Sequence, residues 1–151
     1  MIRLEEMNSE EYTRYLNYSV KNYAEEHIKA GNWTESEALN KATAEYKRLL
    51  PNGEKTEKNH LYMIRDGEQD VGVIWLALHS IDEGFIYDLY IYEANQGRGY
   101  GKQAMVELER ISKNKGLKSI GLHVFGHNNR ARGLYKKLGY IETDIMMRKE
   151  F

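Results

Sequence analysis

Cysteine is absent from this chain of 151 residues, which excludes disulfides, thiolate metal sites and any cysteine nucleophile. Proline is nearly absent too. The one proline, Pro51, stands beside Asn52 and Gly53 and marks the end of a helix. No apolar run approaches the ~20 residues that span a bilayer. The opening residues MIRLEEMNSEE lack the apolar core of a signal peptide, so a cytoplasmic protein is expected. The formal net charge of −1 leaves no excess of Lys and Arg for a phosphate backbone, which argues against nucleic acid. The five histidines show no metal-ligand spacing, so no metal is expected. Repeats and low-complexity linkers are missing as well. The 41% hydrophobic and 30% charged fractions fit one globular domain over residues 1–151.

What is present is periodicity. Residues 2–7 read as a short strand. Asn8 and Glu11 have the spacing of a capping box, and Tyr12, Tyr15, Leu16, Val20, Tyr23, Ala24 and Ile28 follow as a helical stripe. Thr34 and Glu37 repeat the box before a second helix, with Leu39, Ala42, Tyr46, Leu49 and Leu50 expected to face inward. Residues 61–65 and 71–78 read as strands around an Asp66-Gly67 turn. Residues 85–92 (FIYDLYIY) form another, with Tyr87, Leu89 and Ile91 expected on one face and Ile86, Asp88 and Tyr90 on the other. A helix over 102–115, a strand over 119–125 and a helix from Asn128 to Gly139 come next. Residues 141–151 are expected to supply two last short strands. Strands with crossover helices predict an α/β fold with a mixed central sheet and flanking helices.

Between strand 85–92 and helix 102–115 lies Gln96-Gly97-Arg98-Gly99-Tyr100-Gly101, followed by Lys102. Alternate glycines permit positive φ and close approach to the backbone. Successive amides and the first helical turn then present donors to an anion. A dinucleotide fingerprint fails because glycine is needed where Lys102 stands. A P-loop fails because Gln96 and Gln103 occupy positions needing glycine and Ser or Thr. The string does fit Q/R-x-x-G-x-G/A. Downstream, Asn128, Ala131, Leu134, Tyr135, Lys137, Gly139 and Tyr140 fit N-x-x-A-x-x-L-Y-x-K-x-G-F. With both motifs in order, the chain resembles the GNAT superfamily of acyl-CoA-dependent N-acetyltransferases, and within it an uncharacterised bacterial subset.

That resemblance implies the GNAT fold, acetyl-CoA as co-substrate and an amine acceptor, a small molecule or a peptide; a homodimer stays open. It implies that Gln96, Gly97, Arg98, Gly99, Tyr100, Gly101 and Lys102 hold the coenzyme pyrophosphate. The pantetheine arm would lie along the backbone of Leu89, Tyr90 and Ile91, and Asn128 and Ala131 would face the coenzyme. The family tyrosine at Tyr135 points its hydroxyl at the coenzyme sulfur, as a general acid for the leaving thiolate. The base is open: where some members carry a glutamate this chain has Phe85, and Asp88, His123 or a water relay are the candidates. The acceptor cleft is expected around Tyr23, Trp33, Tyr87 and Glu142. Two functions follow: direct acetyl transfer to a primary amine in a ternary complex, or a module that binds acyl-CoA without turnover.

Overall fold

A computed structural model describes all 151 residues. In chain order the elements are β1 (Ile2–Glu6), α1 (Ser9–Lys29), α2 (Glu35–Leu49), β2 (Asn59–Asp66), β3 (Gln69–Leu78), β4 (Glu83–Ile91), α3 (Tyr100–Asn114), β5 (Ser119–Leu122) and α4 (Asn129–Lys137). The capping box of α1 is formed. The Glu11 amide donates to Asn8 Oδ1 at 2.8 Å, and the Asn8 amide donates to the Glu11 carboxylate at 3.0 Å. Such a cap is worth about 1 kcal/mol to the helix it starts. At α2 the Thr34 amide likewise donates to Glu37, at 3.1 Å.

The strands form one mixed sheet in the order β1-β2-β3-β4-β5, antiparallel except for the parallel β4–β5 pair. Alternation along β2 and β3 sorts their side chains. Ile64, Ile74 and Leu76 pack with Ala104, Met105 and Leu108 of α3, while Met63, Val73 and Trp75 pack with Tyr15 of α1 and Tyr46 of α2. The sheet is thus buried on both faces, each enclosed Ile or Leu contributing about 1.5–3 kcal/mol. Between α1 and α2 the contact is made by Ala24, Ala38 and Ala42, small residues that let the two helices approach closely.

Three expectations are corrected. Leu39 is exposed; α2 is rotated so that Ala38 takes the buried position. In β4, Trp75 pairs with Asp88 and Leu76 with Ile86, leaving Tyr87 as an extra residue in a bulge. Ile86, Leu89 and Ile91 therefore face the α3 side, and Tyr87 joins Tyr90 on the α1 side. Asp88 is also on that side, bonded to α1. Simple alternation failed there because a bulge resets the period. Lastly, residues 141–151 form no strand and lie exposed.

Candidate functional site

β4 and β5 begin as neighbours, with Glu83 opposite Ser119 and Ile86 opposite Leu122, and then part. Over residues 87–91, β4 keeps β3 on one side and has no strand on the other. A strand with one free edge offers amides and carbonyls to an extended ligand. Leu89, Tyr90 and Ile91 lie on this open stretch. The opening exists because β5 is only four residues long and the chain then turns away toward α4.

At the end of β4 a short 3-10 turn, Glu93–Asn95, leads into the glycine loop. Gly97 and Gly99 adopt φ of 79° and 82°, the left-handed region that a side chain disfavours. Gly99 occupies the cap position of α3, where no side chain caps the helix, and the first turn of α3 has no acidic residue. Its amides are left for an anion. Gly101 differs from the expectation of backbone freedom: it lies inside α3 without positive φ. A Cβ there would stand 3.4 Å from Leu134 and 3.8 Å from Ile91, ordinary contact distances. The Tyr100 hydroxyl donates to Asp66 at 2.6 Å, which commits that side chain to the end of β2. Arg98 and Lys102 are exposed beside the loop.

Gln96 joins the loop to both sides of the opening. Its Nε2 donates to the Ile91 carbonyl at 2.9 Å, and its Oε1 accepts from Arg130 Nη1 at 3.1 Å. Another Arg130 nitrogen would be 3.6 Å from a Cβ on Gly97, so the guanidinium lies against the loop. Sequence reasoning missed Arg130. Its signal was a cation in the first turn of a helix that has no acid there, a placement the helix dipole disfavours unless an anion is at hand. Asn128 caps α4 as expected, accepting from the Ala131 amide at 3.2 Å.

Tyr135 packs from α4 against the α3-side core, its ring 5.9 Å from that of Tyr140. Burial, with the Asp88 charge as a lesser cause, pushes its hydroxyl up to about 12. The phenol is therefore neutral at ordinary pH and a donor. Asp88 lies across β4. Its carboxylate accepts from the Tyr15 hydroxyl at 2.7 Å and from Ser19 Oγ at 3.3 Å; burial raises its pKa while those bonds lower it. His123 follows β5, exposed, its ring edge-on to Phe125 at 5.0 Å.

The expected acceptor wall is partly assembled. His27 stacks on Trp33 at 3.9 Å, and Tyr23 meets both edge-on, at 4.6 and 5.6 Å. Phe125 closes on His27 at 4.9 Å, while Tyr87 leans on Trp75 at 4.7 Å. Tyr23 and Tyr87 both feel the charges of Glu45 and Arg48 on α2. Glu142 does not join them: it pairs with Arg132 at 3.3 Å and Lys136 at 3.7 Å on α4. His27, Phe125 and Glu45 were not foreseen, because their proximity depends on how α1, α2 and the segment after β5 pack together. Among the described residues no His, Asp or Glu cluster suits a metal ion, and no helix is long and apolar enough to cross a membrane.

Comparison with known proteins accords with this geometry. Residues 7–140 match the profile of the Acetyltransferase (GNAT) family. The uncharacterised N-acetyltransferase YycN of Bacillus subtilis is 40% identical over 99% of this chain and 98% of its own. YdgE, another uncharacterised N-acetyltransferase of Bacillus subtilis, is 38% identical over 97% of this chain and 96% of its own. The crystal structure of YycN superposes with a TM-score of 0.96 at 39% identity, covering 100% of this chain and 99% of that one. PaiA N-acetyltransferase from Thermoplasma acidophilum, in complex with coenzyme A, shares the fold at a TM-score of 0.69 and 18% identity, with 97% and 93% covered. A parted β4–β5 pair, a glycine turn at the start of α3 and a relative alike along its whole length lead to one conclusion: this chain is an acyltransferase that belongs to the acetyltransferase (GNAT) family.

Proposed function

We propose that the protein transfers the acetyl group of acetyl-CoA to a primary amine by direct attack in a ternary complex. The observation that carries this reading is the opening between β4 and β5, with the glycine turn at one end and Tyr135 on α4 as a neutral donor. In it, the amides at the start of α3, with Arg98, Lys102 and Arg130, hold the pyrophosphate. The free edge at Leu89, Tyr90 and Ile91 pairs with the pantetheine amides and supplies an N–H to the thioester oxygen as it gains charge. The amine nitrogen forms a bond to the thioester carbon, the carbon–sulfur bond breaks, and the nitrogen gives up its surplus proton to solvent to leave the neutral amide. Tyr135 gives its proton to the departing sulfur and regains one from solvent.

The amine must lose a proton before it attacks. Asp88 is supported by its place beside the bulge, although two hydroxyl donors already occupy its carboxylate. His123 is supported by its exposure where β5 has parted from β4. The acceptor would enter between Tyr23, Trp33, Tyr87 and Phe125, whose ring faces suit a cation. The test is release of free CoA thiol from acetyl-CoA with a panel of primary amines, run with His123→Ala and Asp88→Asn beside the wild type. Amine-dependent thiol release is expected. Tight acetyl-CoA binding with no release for any amine would overturn the reading in favour of a non-catalytic acyl-CoA module.

A further inference from the structure

Asp88 is a carboxylate at a place where a neutral side chain would satisfy the same hydrogen bonds. The Tyr15 hydroxyl donates to its Oδ2 at 2.7 Å, and Ser19 Oγ donates to the same atom at 3.3 Å. The Tyr46 hydroxyl lies 2.5 Å from Ser19 Oγ. An ionised carboxylate only accepts, so the direction of each proton follows: Ser19 gives its single proton to Asp88, and Tyr46 must therefore donate to Ser19. This chain of donors runs from α2 through α1 to β4 and ends on one oxygen. Oδ1 takes no side-chain hydrogen bond. An asparagine carbonyl would accept both bonds without the cost of a buried charge, so tying α1 to β4 does not explain the carboxylate.

The titratable groups that face Asp88 come from three helices: Tyr15 and Tyr18 of α1, Tyr46 of α2 and Tyr135 of α4, each pushed up in part by its charge. All are phenols. Burial raises the Asp88 pKa, and Tyr15, Ser19 and the Leu89 amide lower it; no cation contributes. Tyr135 packs on the α3 side of the sheet and Asp88 faces α1, so the two flank the opening beside β4 from opposite sides. Behind the chain of hydroxyls is the aromatic wall. The Tyr46 ring meets Tyr23 at 5.9 Å and Trp75 at 5.8 Å, and Trp75 meets Tyr87 at 4.7 Å. His123 has no comparable set of donors; it is exposed, with its ring edge-on to Phe125.

We propose that Tyr15, Ser19 and Tyr46 are positioning residues that hold Asp88 as the base of the acetyl transfer, with Oδ1 turned to the acceptor ammonium. The inference rests on the acetyl-transfer reading and selects between the two bases left open there. One proton passes from the ammonium nitrogen to Oδ1, and the N–H electron pair stays on nitrogen as the lone pair that attacks the thioester carbon. The carboxylate becomes a carboxylic acid and returns its proton to solvent after the amide leaves. Two donors on Oδ2 keep the group from rotating and favour its ionised form. Tyr46 acts only through Ser19, by fixing where the Ser19 proton points.

The test is the pH dependence of kcat/KM for the most reactive amine of the panel, read as the ratio of variant to wild type so that ionisation of the amine cancels. Ser19→Ala removes a donor from the ionised carboxylate, so Asp88 binds its proton at higher pH than in the wild type. The ratio is expected to fall about 10-fold on the acid side of the profile and to return toward parity on the alkaline side. Tyr46→Phe keeps the packed ring and is expected to give the same pattern to a smaller degree. A ratio independent of pH in both variants, as lost packing alone would give, overturns the proposal. So does an Asp88→Asn enzyme with the kcat/KM of the wild type. Carboxyl 13C NMR of labelled aspartate supplies a readout besides turnover: the Asp88 signal should titrate at higher pH in Ser19→Ala, and an unmoved titration overturns the proposal. A wild type that releases no CoA with any amine overturns the acetyl-transfer reading as well, whereas a working wild type with unmoved ratios overturns this inference alone.

Discussion

The Tyr15 hydroxyl donates a hydrogen bond to the Asp88 carboxylate across 2.7 Å, fastening α1 to β4 at the residue that follows the bulge. The two lie 73 positions apart in sequence. Ser19 adds a second donor at 3.3 Å and sits 2.5 Å from the Tyr46 hydroxyl, so α1, α2 and β4 share one polar network beneath the open edge. Tyr15→Phe keeps the buried ring but removes one donor from a buried carboxylate. It is expected to cost about 1–3 kcal/mol in urea unfolding. Acetyl-CoA affinity by calorimetry should be unchanged, since the network faces α1 and not the glycine turn; a large loss of affinity would contradict that assignment.

Gly99 and Gly101 are expected to respond differently. At φ 82°, Gly99 accepts a side chain only with strain of roughly 1–2 kcal/mol. Gly99→Val should therefore distort the turn and lower acetyl-CoA affinity severely in a still-folded protein. Gly101→Ala needs no change of backbone and meets Leu134 at an ordinary 3.4 Å, so its affinity should stay near that of the wild type. Calorimetric titration of both variants with acetyl-CoA decides this. Undiminished binding by Gly99→Val would remove the turn from the coenzyme site.

Tyr135→Phe retains the packed ring and removes only the proton. The maximal rate is expected to fall by about 10–1000-fold, with acetyl-CoA affinity little changed. The sign of the pH effect follows from burial. Because the hydroxyl is pushed up to about 12, its acid form persists as pH rises and is lost only on approaching that value. Single-turnover rates from neutral pH to about 10 should show no decline attributable to Tyr135. A decline in the wild type that is absent in Tyr135→Phe would show that the phenol ionises lower and that its surroundings are misread.

Stability toward acid should report on the start of α2. Hydrogen bonds from Lys41, then from Thr34, hold the Glu37 carboxyl down at about 2, below its ordinary 4.5. A depressed folded value means that its contribution is complete above 4.5 and is lost as pH falls toward 2. Unfolding followed across that window should show wild type losing its advantage over Glu37→Gln as acid is added. Parallel curves for the two proteins would show that the pairing in the folded state is not maintained.

Sequence alone determined the features that are written in neighbouring residues. The caps at Asn8 and Thr34, the strand leading into the glycine turn, the absence of cysteine chemistry and the two ordered motifs that led to the family all depend on spacing within a few residues. Tertiary structure decided what depends on residues far apart. The bulge at Tyr87 is set by the β3–β4 register and put Tyr87 on the same side as Asp88. Arg130 reaches Gly97 only because α4 packs beside the turn, and Glu142 is drawn to Arg132 instead of the aromatic wall. The two short strands expected within residues 141–151 did not form, because a strand exists only where a neighbouring edge accepts its hydrogen bonds. Residues 141–151 pair with no edge, and Arg148 instead bonds the Ala30 carbonyl at the α1–α2 turn.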